Sequence, residues 1–107
     1  MKEIKKAAIY HMSLDPIRSS CIDLQMDILR SYSKKQEWEI YGEYLDLTNA
    51  TTKKEDFKRL LEEADNFDVV VLKNCYFISR KTPEFVKYRN LLRDKGVYLY
   101  SLTEGWC

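Results

Sequence analysis

Four consecutive apolar residues, Val69-Val70-Val71-Leu72, constrain this chain more than any other feature. A strand with one wet face alternates apolar and polar residues, so an unbroken apolar run inside Phe67–Cys75 predicts a strand covered on both sides. Such strands belong to parallel sheets sandwiched by helices, and the flanking sequence has the matching rhythm. Residues 7–13 form a second short, mostly apolar run fit for a buried strand. From Ser20 to about Lys35, Ile22, Met26 and Leu29, flanked by Ile28 and Tyr32, make a helical stripe. Trp38–Leu45 is rich in aromatic and β-branched residues and reads as a strand, with Gly42 marking a bulge. Thr52 and Glu55 have the spacing of a capping box, and Phe57, Leu60, Leu61 and Ala64 follow at helical intervals. Thr82-Pro83 reads as the N-cap and first position of a third helix that turns Phe85, Tyr88 and Leu92 inward and stops at Gly96. Val97–Leu102 is the final strand.

The resulting order, βαβαβαβ, predicts an α/β fold: a three-layer α/β/α domain with a mostly parallel central sheet. Ligands of open α/β sheets bind beyond the carboxyl ends of the strands. That directs attention to residues 11–19, 46–54 and 75–82. Residues 1–107 are read as a single domain, able to bury roughly two-thirds of its unfolded surface in one core, with no separate DNA-binding domain.

Composition narrows the chemistry. With three glycines in the chain and none in His11–Pro16, the loop after the first strand cannot cradle a nucleotide phosphate. Asp15 and Asp46 make two members of a phospho-acceptor cluster, but no third acid or matching lysine follows. Eighteen Lys and Arg against seventeen Asp and Glu leave a net charge of +1, whereas a domain that holds DNA alone shows a basic excess. DNA binding is therefore expected to be weak, partner-dependent, or confined to a face formed by Lys2, Lys5, Lys6, Lys53, Lys54, Lys58 and Arg59; solvated surface charge is the simpler reading of those residues. Cysteines 21, 75 and 107, odd in number and widely spaced, argue against a disulfide framework and a structural zinc site. Cys75 reads as a small buried hydrophobe. The polar start Met1–Lys6 and the absence of a long apolar run point to a reducing cytoplasm and no membrane span. His11, the one histidine, shares a strand face with Ser13, yet no third residue marks a hydrolase triad, and a lone strand-end histidine is more often structural.

Several short stretches point further. Ala7-Ala8-Ile9-Tyr10 opens the first strand, and Cys21-Ile22-Asp23-Leu24-Gln25 starts the first helix. Glu43-Tyr44-Leu45-Asp46 lies in the second strand and Asp56-Phe57-Lys58-Arg59-Leu60-Leu61 in the second helix. Phe67–Val71 is followed by Ile78-Ser79-Arg80, and Lys95-Gly96-Val97 by Ser101-Leu102-Thr103-Glu104. No single piece is specific, but their order and spacing resemble the catalytic domain of the serine site-specific recombinases, the resolvase/invertase family, along nearly the whole chain. The matching family features are a Ser-Leu-Asp-x-Gln helix start, an arginine-led Gly-Phe-x-x-Leu helix and an Asp-Arg-Leu-Ser-Arg loop.

The resemblance implies DNA strand exchange without a cofactor or metal. A serine hydroxyl attacks a phosphodiester to form a phosphoserine link, and arginines neutralise the transferring phosphoryl group. It implies Ser13 as nucleophile and Arg80 as the main phosphate-binding cation, with His11, Lys54, Gln25 and Ser79 on phosphate or DNA and Tyr10 and Asp46 in support. Implied partners are DNA and a second copy or an associated recombinase, with no membrane and no nucleotide.

The chain departs from the pattern where charge is needed. The family's first strand ends Tyr-x-Arg-x-Ser; aligned without a gap on Tyr10, Met12 falls at the arginine and Leu14 at the serine. A slip of one residue restores Ser13 but puts His11 at the arginine and Ile9 at the tyrosine, and a slip moves side chains to the other face. A bulge, or a deletion in the following loop, is needed for Tyr10 and Ser13 to serve one site. Lys54 replaces an arginine and loses its planar fork, and Tyr76 and Phe77 replace an Asp-Arg pair. One lost donor of this kind typically costs about 10²–10³ in rate, so catalysis is expected to be impaired. The alternative is a non-catalytic interaction or dimerisation module with Tyr76, Phe77 and Phe85 as contact candidates.

Overall fold

The computed structural model describes residues 3–13, 19–47, 55–74 and 82–107, apart from the side chains of residues 13, 19–21 and 47. Its elements are β1 (Lys6–Ser13), α1 (Ser19–Lys35), β2 (Glu39–Leu47), α2 (Glu55–Glu62), β3 (Val69–Leu72), α3 (Thr82–Asp94), β4 (Tyr98–Ser101) and β5 (Gly105–Trp106). The sheet order is β2-β1-β3-β4-β5. The first four strands are mutually parallel, and β5 returns antiparallel beside β4.

This order explains the layers. The path β1-α1-β2 moves the chain one way across the sheet and β3-α3-β4 moves it the other way. Right-handed crossovers in opposite directions place their helices on opposite faces. The faces are indeed distinct. Ile22, Met26 and Leu29 of α1 pack on Ala7, Ile9, Val69 and Val71, while Phe57 and Leu60 of α2 and Leu92 of α3 pack on Ala8, Tyr10, Val70 and Leu72. Alternate residues of β1 and β3 thus serve two cores, and all four residues of β3 are fully buried, as its apolar run requires.

Local details follow from the sequence. The β1–β2 register shifts between Ala7, opposite Ile40, and Ala8, opposite Gly42, which leaves Tyr41 as the extra residue of a bulge beside the glycine. α3 ends before Gly96, whose φ of 81° is the left-handed turn that glycine accepts at a helix end.

Some boundaries differ from expectation. β2 runs two residues past Leu45 because Asp46 and Leu47 pair with Met12 and Ser13. β3 is shorter than Phe67–Cys75: Phe67 is a core residue ahead of it, and the Asp68 carboxylate accepts the Lys5 and Lys6 N–H groups at 3.0 and 3.1 Å, tying the entry of β3 to that of β1. Thr82 lies within the first turn of α3 rather than before it. β5 was not expected; Gly105, at φ 81°, permits the reversal that forms it. Cys107 is disulfide-bonded. Cysteine spacing along the chain did not reveal this, because the fold and not sequence distance decides which sulfurs meet.

Candidate functional site

β2 and β3 lie on either side of β1, so the chain's direction across the sheet reverses between β1 and β3. The crevice beyond the carboxyl ends of strands at such a reversal is where open α/β sheets bind ligands. Here it is bounded by His11–Ser13 at the end of β1, Asp46-Leu47 at the end of β2, and Lys73-Asn74 after β3.

Asp46 organises this end of the molecule. It is 5% exposed, and its carboxylate accepts three hydrogen bonds: from the Tyr10 hydroxyl at 2.7 Å, the Asp56 N–H at 2.9 Å and the Phe57 N–H at 3.1 Å. The two amides belong to the first turn of α2, where backbone donors lack helical partners and a negative charge is favoured. Asp46 therefore caps α2 from the neighbouring strand. Asp56 reciprocates, accepting the Leu45 N–H at 2.8 Å. The expected capping residue, Thr52, lies outside the described residues.

Tyr10 is fully buried, with its ring 5.4 Å from that of Phe57. Burial first, then the Asp46 carboxylate, push its phenol far above the ordinary tyrosine value, so it remains a neutral donor. Met12, two residues on, packs against the same core. His11 alternates to the α1 face. It is 6% exposed, and burial, followed by the charge of Lys73, holds it below the ordinary histidine value; near neutral pH it is uncharged.

The pairing of β1 with β2 is continuous from Ala8 to Ser13, with Tyr10 opposite Tyr44 and Ser13 opposite Leu47. β1 has no bulge between Tyr10 and Ser13. Of the residues singled out in the sequence, Tyr10 and Asp46 are brought into direct contact. Gln25 is partly buried on α1, the helix of the opposite face. Lys54, Ser79 and Arg80 lie outside the described residues, as do Leu14, Tyr76 and Phe77. Sequence reasoning quoted Asp56 and Ser101 within stretches that resemble the family but gave neither a role. An acid in a helix's first turn and one polar residue closing an apolar strand were the available signals. Among the described residues no group of three His, Cys, Asp or Glu is placed to hold a metal ion, and no helix is long and apolar enough to cross a membrane.

Comparison with protein families matches residues 12–106 to the resolvase N-terminal domain. No curated protein sequence matches the chain. Three similar solved structures share its fold. The C-terminal catalytic domain of ISC1926 TnpA, an IS607-like serine recombinase, superposes with a TM-score of 0.82 at 17% identity, over 91% of this chain and 69% of that one. The N-terminal catalytic domain of TP901-1 integrase gives 0.79 at 25% identity, over 94% and 79%. A resolvase family site-specific recombinase from Streptococcus pneumoniae gives 0.80 at 20% identity, over 94% and 74%.

Proposed function

The chain belongs to the resolvase N-terminal domain family, and on that premise we propose that it engages DNA as a serine-recombinase domain whose own strand cleavage is impaired. The observation that carries the impairment is the register of β1 against β2, continuous from Ala8 to Ser13. With Tyr10 at the family's tyrosine, the same face two residues on presents Met12, partly buried against the core, where the chemistry needs an arginine. An apolar group there supplies no charge to a phosphoryl group, and neutral His11 does not replace it.

In the active form of this reading, the Ser13 hydroxyl attacks the phosphodiester. A serine–phosphate bond forms as one P–O bond breaks, and the sugar oxygen leaves as a free hydroxyl with the serine's proton. Arg80 neutralises the developing charge, with Lys54, Gln25, His11 and Ser79 contacting phosphate or DNA. Tyr10 and Asp46 shape the wall of the site. The domain works in the cytoplasm as a single unit, paired with a second copy, or with an intact recombinase whose own arginines supply the missing cations. The alternative, a module that pairs with recombinases and performs no chemistry, draws on the same apolar Met12.

The test is incubation with supercoiled DNA carrying candidate element sites, with and without an intact partner recombinase. We expect no nicking and no covalent protein–DNA adduct from this chain alone. A covalent adduct formed by the chain alone and lost in Ser13→Ala overturns the impairment. An adduct seen only with the partner present, and still dependent on Ser13, rules out the purely non-catalytic module.

A further inference from the structure

β2 ends the sheet: among the described residues its one strand neighbour is β1. A nine-residue edge offers its outward N–H and C=O groups to any chain that lies alongside. The bonds show which groups point outward. A backbone N–H is a single donor, and that of Leu45 goes to the Asp56 carboxylate at 2.8 Å, so it is not spent on β1. Alternate residues present their N–H and C=O groups to the same edge. Glu43, two residues earlier, accordingly has its carbonyl on the Arg59 guanidinium at 3.4 Å.

Two side chains of α2 therefore stand where a sixth strand would bond. Asp56 supplies the acceptor and Arg59 the donor, and the two meet each other at 3.5 Å across one helical turn. The Tyr44 ring, 4.7 Å from the Arg59 guanidinium, steadies its direction. Capping does not account for the turn of the Asp56 carboxylate toward β2, because Asp46 already holds the first amides of α2. On the other face, Arg30 of α1 binds the Glu43 carboxylate at 2.6 and 2.7 Å, so Glu43 is gripped from both helical layers. Nearer the start of β2, the bulge at Tyr41 breaks the flat geometry that strand addition needs.

The two occupied groups are self-complementary. Two copies laid antiparallel with Tyr44 facing Tyr44 would make a reciprocal pair, each Leu45 N–H meeting the other's Glu43 carbonyl. We infer that Asp56 and Arg59 form an edge guard that closes β2 to strand addition by a second copy of this chain. Copies that associate use another surface, and loss of the guard turns Glu43–Leu45 into an interface.

Sedimentation velocity and amide hydrogen exchange, each on the full chain at low and high protein concentration, test this. The variants are Arg59→Ala, Asp56→Ala with Arg59→Ala, and the conservative pair Asp56→Asn with Arg59→Lys. The double alanine variant should sediment at about twice the parent's mass. Its Leu45 amide should exchange about tenfold more slowly at high concentration than at low, the effect of one hydrogen bond gained. The conservative pair keeps an acceptor and a donor in place and should behave as the parent, whose Leu45 exchange does not depend on concentration. Arg59 is half-exposed, so Arg59→Ala keeps the fold and decides by the same two readouts if the double variant does not fold. Alanine variants that are folded by circular dichroism yet sediment as the parent overturn the inference. So does association that leaves Leu45 exchange unchanged, equal association of the conservative pair, or a parent whose Leu45 amide already gains protection with concentration.

Discussion

A single carboxylate holding a phenol and two helix amides makes the Tyr10–Asp46 pair the most informative contact in the molecule. Its energetic sign can be worked out. Unfolded, Tyr10 ionises near the ordinary value of about 10; folded, it keeps its proton well above that. The folded state then binds more protons than the unfolded one at alkaline pH. The contribution is fully present below about pH 10 and is lost as pH rises beyond it. Tyr10→Phe should cost about 1.5–3 kcal/mol at neutral pH, the range for a hydrogen bond to a charged acceptor. It should also remove one tyrosine's share, about 1.4 kcal/mol per pH unit, of the decline above pH 10. Urea midpoints of both proteins from pH 8 to 11 check this, and parallel declines would refute it. The resemblance to recombinases named Tyr10 and Asp46 separately. It did not reveal that they touch, because the contact spans 36 positions and depends on strand register. The role of Asp56 was hidden for the same reason: an acid in a first turn reads as a partner for the helix dipole, and its bond to the Leu45 amide exists only once β2 is in place.

At the level of elements, α1 and α3 end in the same hydrogen-bond pattern with different residues. In α3, Gly96 N–H meets the Arg93 carbonyl and Val97 N–H the Leu92 carbonyl, both at 2.9 Å; in α1, Glu37 N–H meets Lys34 and Trp38 N–H meets Ser33, also both at 2.9 Å. Both are Schellman ends, whose turning residue adopts a left-handed conformation. Gly96 does so without strain, but Glu37, at φ 63°, carries a side chain there, a conformation that costs an L-residue about 1–2 kcal/mol. Glu37→Gly should therefore stabilise the protein by up to about 1 kcal/mol after the added chain entropy of glycine, read as a raised urea midpoint at constant slope. These endings also show what the sequence could tell. Gly96 announced the stop of α3, and the β2 bulge was legible from Gly42. β5 had only Gly105 after a polar turn, and two residues are too few for a periodic signal.

Across the whole molecule, β1 and β3 contribute alternate residues to both cores, so loss of either helical layer strips one face of the two strands on which the other layer is built. Leu29 of α1 and Leu92 of α3, both fully buried, belong to different layers. Leu29→Ala and Leu92→Ala should each cost about 2–5 kcal/mol and preserve one cooperative transition by far- and near-ultraviolet circular dichroism. A biphasic curve in either variant would show that the layers unfold separately. The architecture was readable because it rests on periodicity, which survives the loss of particular charges; the site was less so, since it depends on which faces a strand register aligns. The Asp46 bond to Tyr10 has a mechanical meaning as well. It works as a rivet through two parts, fastening the first turn of α2 through Asp46 to β1 with no loop between them. A partner that grips α2 from outside therefore pulls on β1 itself, and the tip of that strand answers to a force applied on the far side of the helix.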